Sequence, residues 1–108
     1  MNSATVRCKF IAAPMREGLA LAQDAAGGSF TRVLIDPPRG GMDKRSLAGL
    51  IELRAPVFVY VSCNPSTLAR DLQTLVEAGY RIDAVQPVDM FPHTYHIEVV
   101  VKLSLPLQ

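Results

Sequence analysis

Three groups of residues in this sequence have the make-up of reactive sites. In Val61-Ser62-Cys63-Asn64-Pro65 a thiol follows directly on the apolar run Val57–Val61. A cysteine there is either a packed small hydrophobe or a nucleophile. In Arg32-Val33-Leu34-Ile35-Asp36-Pro37-Pro38-Arg39-Gly40-Gly41 an apolar run ends in a carboxylate. Proline lacks an amide hydrogen and restricts the residue before it, so Asp36 is held extended at the tip of the run. A solvated loop carboxylate is the plain alternative. Arg39 is either a guanidinium fork for a carboxylate or phosphate, or a surface arginine. The third group, Asp89-Met90-Phe91-Pro92-His93-Thr94-Tyr95-His96-Ile97-Glu98, sets ionisable groups between two apolar segments. His93 and His96 have no third ligand nearby, and no metal is expected.

The elements that must hold these groups follow from hydrophobic patterning. Val57–Val61 is short, continuous, and rich in β-branched and aromatic residues, which predicts a strand buried on both faces. Ser66 is the predicted N-cap of a helix over about 67–78, whose Leu68, Leu72, Leu75 and Val76 form a core face. Gly79 ends that helix in a left-handed cap. Upstream, Thr31–Asp36 is a strand, followed by a helix over about 43–53 with Asp43 as cap and Leu47, Leu50, Ile51 and Leu53 facing inward. A first strand is predicted at Val6–Ala12 and a helix at Met15–Ala25, broken by Gly27-Gly28. Tyr80–Met90 and Ile97–Leu105 are two strands with no room for a helix between them, hence antiparallel. The pattern is βαβαβαββ, an α/β fold in which strand C-termini carry the chemistry.

Composition bounds the reading. The 108 residues suit one small domain, with 49% hydrophobic residues and a net charge of +1. This is globular composition without an overall basic field. Cys8 and Cys63 lack metal-ligand spacing and form no disulfide framework, which fits a reducing, cytoplasmic setting. No apolar stretch approaches the length of a membrane span, and the start has no signal-peptide pattern. Cys8 is expected to be a packing residue, and Arg70, Arg81 and Lys102 to lie on solvated faces.

Taken in order, Asp36-Pro37-Pro38-Arg39, Ser62-Cys63-Asn64-Pro65 and Asp89-Met90-Phe91-Pro92-His93-Thr94 with His96-Ile97-Glu98 resemble the closing motifs of the RNA uracil-5-methyltransferases. The resemblance runs from about Thr5 to Leu103. It implies the partial Rossmann-like sheet of class I S-adenosylmethionine-dependent methyltransferases, with an antiparallel C-terminal strand pair, and RNA (ribosomal or transfer) as substrate. Uracil C5 is a poor nucleophile until a thiolate adds to C6, after which a base must remove the C5 proton. The resemblance assigns the nucleophile to Cys63, the base to Glu98 and a contact to S-adenosylmethionine to Asp36. Arg39, Asn64 and His93 are expected beside the substrate, Asn64 by bonding backbone so as to fix its loop. A DPPY-type adenine or cytosine methylation fits less well, because Arg39 stands where that motif has an aromatic residue and Cys63 has no use there.

The sequence departs from the family upstream. The Gly-rich turn after the first strand and the ribose-binding acidic residue of the second are missing, and Gly27-Gly28 precedes a strand instead of following one. The chain is therefore expected to be the C-terminal half of a catalytic domain, without the cofactor-binding half. The alternative is a non-catalytic remnant acting as an assembly or interaction module. The family's sheet inserts two strands between Val6–Ala12 and Arg32–Asp36, so the edge at Val33–Ile35 is expected to be unpaired and to promote a homodimer.

Overall fold

The computed structural model describes residues 30–89 and 97–106. The predicted strand Val6–Ala12, the predicted helix Met15–Ala25, Cys8, His93 and His96 lie outside the described residues. Within them the order is β1 (Arg32–Ile35), α1 (Lys44–Glu52), β2 (Val57–Ser62), α2 (Pro65–Glu77), β3 (Arg81–Asp89) and β4 (Ile97–Ser104). These six elements follow the last six of the predicted pattern.

The sheet order is β1-β2-β4-β3. β1 runs parallel to β2, whereas β4 is antiparallel to both of its neighbours. The final strand thus inserts between β2 and β3. β3 and β1 are the edges of the described sheet. Pro87 and the irregularity between Ile82 and Ala84 blunt the β3 edge, devices that discourage further pairing.

Both helices cover one face of the sheet. Leu47 and Leu50 of α1 and Leu68 and Leu75 of α2 meet Ile35, Phe58, Tyr60, Val101 and Leu103 in one buried cluster. The Phe58 and Tyr80 rings pack edge to face with centroids 5.7 Å apart, a favoured aromatic geometry. The Tyr80 hydroxyl donates to Ala55 O at 2.8 Å, which satisfies the polar end of a buried ring.

Several expectations are corrected. β2 is closed on one face only: Phe58, Tyr60 and Ser62 are buried, but Val57, Val59 and Val61 are half-buried. The reason is that both described helices pack on the same side. On the other face of β1, Leu34 is 70% exposed. The second helix is capped by Asn64, not Ser66, because Pro65 supplies a preset φ and needs no donor at the first helical position. Its inward face holds Leu68, Asp71 and Leu75 with Leu72 packed alongside, while Val76 is 46% exposed. Asp43 caps α1 as expected, accepting from Ser46 N at 2.8 Å. Gly79 has the expected positive φ.

Candidate active site at the strand ends

β1, β2 and β3 all point the same way, so their C-terminal ends and the start of β4 share one edge of the sheet. Asp36 follows β1, Cys63 follows β2, and Glu98 is the second residue of β4. The last β2–β4 pair is Ser62 with Val99, and Cys63 and Glu98 are the next residue after Ser62 and the one before Val99. In a regular antiparallel ladder directly opposed Cβ atoms lie about 5 Å apart on one face. The last β1–β2 pair is Ile35 with Tyr60, and Asp36 is the next residue after Ile35. Ile35, Tyr60 and Val101 are buried under the helices. Strand alternation therefore turns Glu98 to the opposite face, whereas Asp36 and Cys63 stand one residue past the ends of β1 and β2. Cys63 is a free thiol of intermediate exposure, Glu98 is half-buried and Asp36 is exposed.

The turn that carries Cys63 is fixed from both sides. The Ser62 hydroxyl accepts from Asn64 N at 3.1 Å and donates to Asn64 O at 3.0 Å. Asn64 Oδ1 accepts from Ser66 N at 3.0 Å as the cap of α2, while Asn64 Nδ2 donates to Arg39 O at 3.1 Å. Asn64 thus bonds the backbone, as expected, and also reaches the loop that follows Asp36. The Thr67 hydroxyl joins it, 3.0 Å from the same Arg39 carbonyl. The Arg39 side chain is exposed.

The same loop is held further along by two neighbouring residues of α2. Asp71, 2% exposed, accepts from Met42 N at 2.9 Å and from the Tyr60 hydroxyl at 2.5 Å. Arg70 donates from Nε to Asp71 Oδ1 at 3.2 Å, and from Nη2 to Gly40 O at 3.0 Å and Met42 O at 3.2 Å. Arg70 is solvent-exposed, as expected from the sequence, and is also a bonding residue whose guanidinium reaches the loop. Burial, then the hydrogen bond to Asp71 and that carboxylate's charge, push the Tyr60 hydroxyl far above the ordinary tyrosine range. The signal for Asp71 was present in the sequence, as a charge on the otherwise apolar face of a helix.

Could these residues hold a methyl donor? Asp36 fits one edge of such a molecule, as an exposed acceptor at the sheet edge. Gly41 does not provide a cradle, although the space beside Gly40 is open. A Cβ on Gly41 would meet Arg70 Nη2 at 2.6 Å and Asp71 Oδ2 at 2.9 Å, so protein already fills that space. Among the described residues no cluster of three potential metal ligands occurs, and no helix is long and apolar enough to cross a membrane.

An RNA methyltransferase of Caldanaerobacter subterraneus, itself uncharacterized, is 59% identical over 68 residues, covering 63% of this chain and 15% of the relative. One from Bacillus cereus is 56% identical over 72 residues, covering 67% and 16%. The chain thus spans about one sixth of the length of these curated relatives. The structure of the Pyrococcus abyssi tRNA (uracil-54, C5)-methyltransferase with S-adenosyl-L-homocysteine is similar at a TM-score of 0.62 and 49% identity, over 69% of this chain and 18% of that one. M1.HpyAVI in complex with SAM, at 15% identity and a TM-score of 0.61, covers 86% of this chain and 52% of its own, and shares the fold alone. The family profile described as tRNA (uracil-5-)-methyltransferase matches residues 19–105. The chain belongs to the tRNA (uracil-5-)-methyltransferase family.

Proposed function

We propose that this chain carries the reacting edge of an enzyme that methylates C5 of uracil in RNA, with S-adenosylmethionine as donor. The observation that supports the reading is the β2–β4 register, whose last pair, Ser62 with Val99, adjoins both Cys63 and Glu98 at the edge where Asp36 follows β1. C5 and C6 of uracil are adjacent, so a nucleophile for one and a base for the other must sit within a ring's width. Neighbouring positions on paired strands suit that need. The substrate named for the archaeal neighbour favours transfer RNA over ribosomal RNA.

In this mechanism the Cys63 thiolate forms a bond to C6, and the C5–C6 π electrons move onto the ring carbonyl as an enolate. When bound, the donor would supply an electrophilic methyl group to C5 of the enolate, its sulfonium–methyl bond breaking to leave a neutral thioether. Glu98 then accepts the C5 proton. The electron pair left behind restores the C5–C6 double bond, and the C6–S bond breaks to return the thiolate. Asp36 contacts the donor beside the base, while Arg39 and Asn64 border the substrate. Asn64 acts there by holding the turn. His93, expected beside the substrate as well, lies outside the described residues. The chain is, in this reading, the C-terminal half of a catalytic domain that works in the cytoplasm. The rest of the donor site belongs to residues beyond those described.

With a partner supplying the cofactor-binding half, the test uses 5-fluorouridine RNA with S-adenosylmethionine, because fluorine at C5 cannot leave as the proton does. A denaturing gel should show a protein–RNA adduct that Cys63→Ala abolishes. Glu98→Gln should accumulate an adduct on ordinary uridine RNA, since the C5 proton stays in place. An adduct in the alanine variant overturns the assignment. One observation favours a second reading, an assembly module: the β1 edge and its outward Leu34, 70% exposed, suit a second copy of the chain in a homodimer. Failure of S-adenosylmethionine to bind in calorimetry would favour that module over the enzyme.

A further inference from the structure

The loop after Asp36 has no regular structure of its own, yet its backbone is gripped at four points from α2. Arg39 O is taken by Asn64 and Thr67, Gly40 O and Met42 O by Arg70, and Met42 N by Asp71. Gly41 N closes a turn onto Pro38 O at 2.8 Å. Gly41 has a φ of +75°, with room only for hydrogen beside Arg70 and Asp71. Asp71 is anchored in turn by the hydroxyl of Tyr60, two residues before Ser62 in β2. One carboxylate therefore ties together the loop of Asp36, the strand that leads to Cys63 and the helix that follows it.

We propose that Arg70 and Asp71 are positioning residues that set the Asp36 loop against the Cys63 turn. Neither lies at the reacting edge. Asp71 is buried beneath the loop, and the Arg70 guanidinium is spread over two loop carbonyls and Asp71 itself. The planar fork of arginine suits this multiple capture, and a lysine ammonium can replace only part of it. The inference rests on the reading of Asp36 and Cys63 as parts of one site. On that reading a loosened loop weakens donor binding before it slows chemistry. The KM for S-adenosylmethionine should rise while kcat stays nearly constant.

The experiment uses the full chain with Asp71→Asn, Arg70→Gln and Arg70→Lys. Backbone amide exchange is followed at Met42, and at Phe58 and Val101 as core references. Methyl transfer to uridine RNA is measured alongside. Asp71→Asn should speed exchange at Met42 at least tenfold, with Phe58 and Val101 unchanged. It should raise the KM for S-adenosylmethionine about tenfold, with kcat within about threefold. Arg70→Gln should act in the same direction, and Arg70→Lys should recover part of both effects. The Arg70 side chain is 54% exposed, so its variants should fold even if Asp71→Asn does not. Unchanged Met42 exchange in a folded Arg70→Gln chain overturns the proposal, as does faster exchange with an unchanged KM. If the unaltered chain transfers no methyl group even with the cofactor-binding half supplied by a partner, the proposed function has failed, and exchange at Met42 alone decides the clamp.

Discussion

Replacing Tyr60 by phenylalanine removes one oxygen from the middle of this arrangement and leaves the ring that fills the core. The lost bond runs over 2.5 Å from the hydroxyl to the buried Asp71 carboxylate. Hydrogen bonds to charged groups are worth about 1.5–3 kcal/mol, more than neutral ones. Asp71 keeps Met42 N and Arg70 Nε, so the cost should stay below that of a buried charge with no partner, about 3–5 kcal/mol. We expect a loss of about 2 kcal/mol at pH 7. In a domain of this size that lowers the melting temperature by roughly 8–16 °C. Urea unfolding followed by far-ultraviolet circular dichroism reads the difference directly, because the sequence has no tryptophan to report by fluorescence. The pH dependence gives a second reading. The unfolded phenol ionises near pH 10, whereas the folded one holds its proton to higher pH. Its contribution is therefore complete below pH 10 and declines above it, by up to ~1.4 kcal/mol per pH unit. Burial raises the Tyr80 hydroxyl too, so the variant should retain about half of the alkaline slope. A loss under about 0.5 kcal/mol with an unchanged slope would refute the reasoning.

Gly41→Ala should destabilise by about 1–3 kcal/mol, because it strains a positive φ and forces Arg70 or Asp71 to move. Urea titration checks this, and a neutral result would mean that the loop is not held as described. Leu34→Lys should leave stability within about 0.5 kcal/mol, as an exposed change does. If copies meet at the β1 edge, it should also lower the mass found by light scattering. An associated species that survives the lysine would place the contact elsewhere.

The sequence carried the local parts of this structure. Val57–Val61 and the Pro37-Pro38 stop identified two strand ends, because apolar runs and missing donors act over a few residues. The cap of α2 was misplaced by two residues. Asn64 and Ser66 both cap well, and only Pro65 at the first helical position distinguishes them. Val76 was expected in the core, but the helix turns Asp71 inward and leaves Val76 exposed, since the polar partners of Asp71 outweigh hydropathy there. Arg70 is exposed as expected, but its bonds to the loop were not legible, because the acceptors are distant in sequence and no local pattern points to them. The meeting of Cys63 and Glu98 is likewise non-local. Resemblance named the two residues, but only the pairing of β2 with β4 brings them to neighbouring strand ends.

That pairing has a consequence for the order in which the site comes into being. Cys63 belongs to a compact strand–helix unit whose contacts are mostly near in sequence, and such units close early. Glu98 arrives only when β4 slots between β2 and β3, the most distant of the pairings in this sheet. A chain caught before that insertion would show a formed turn and an available sulfur with no base facing it. On the proposed roles it could add to a uracil ring and release it again, but a ring already methylated at C5 would stay attached for want of a base. In the proposed mechanism the strand that finishes the sheet is thus the one that lets a methylated ring leave the thiol.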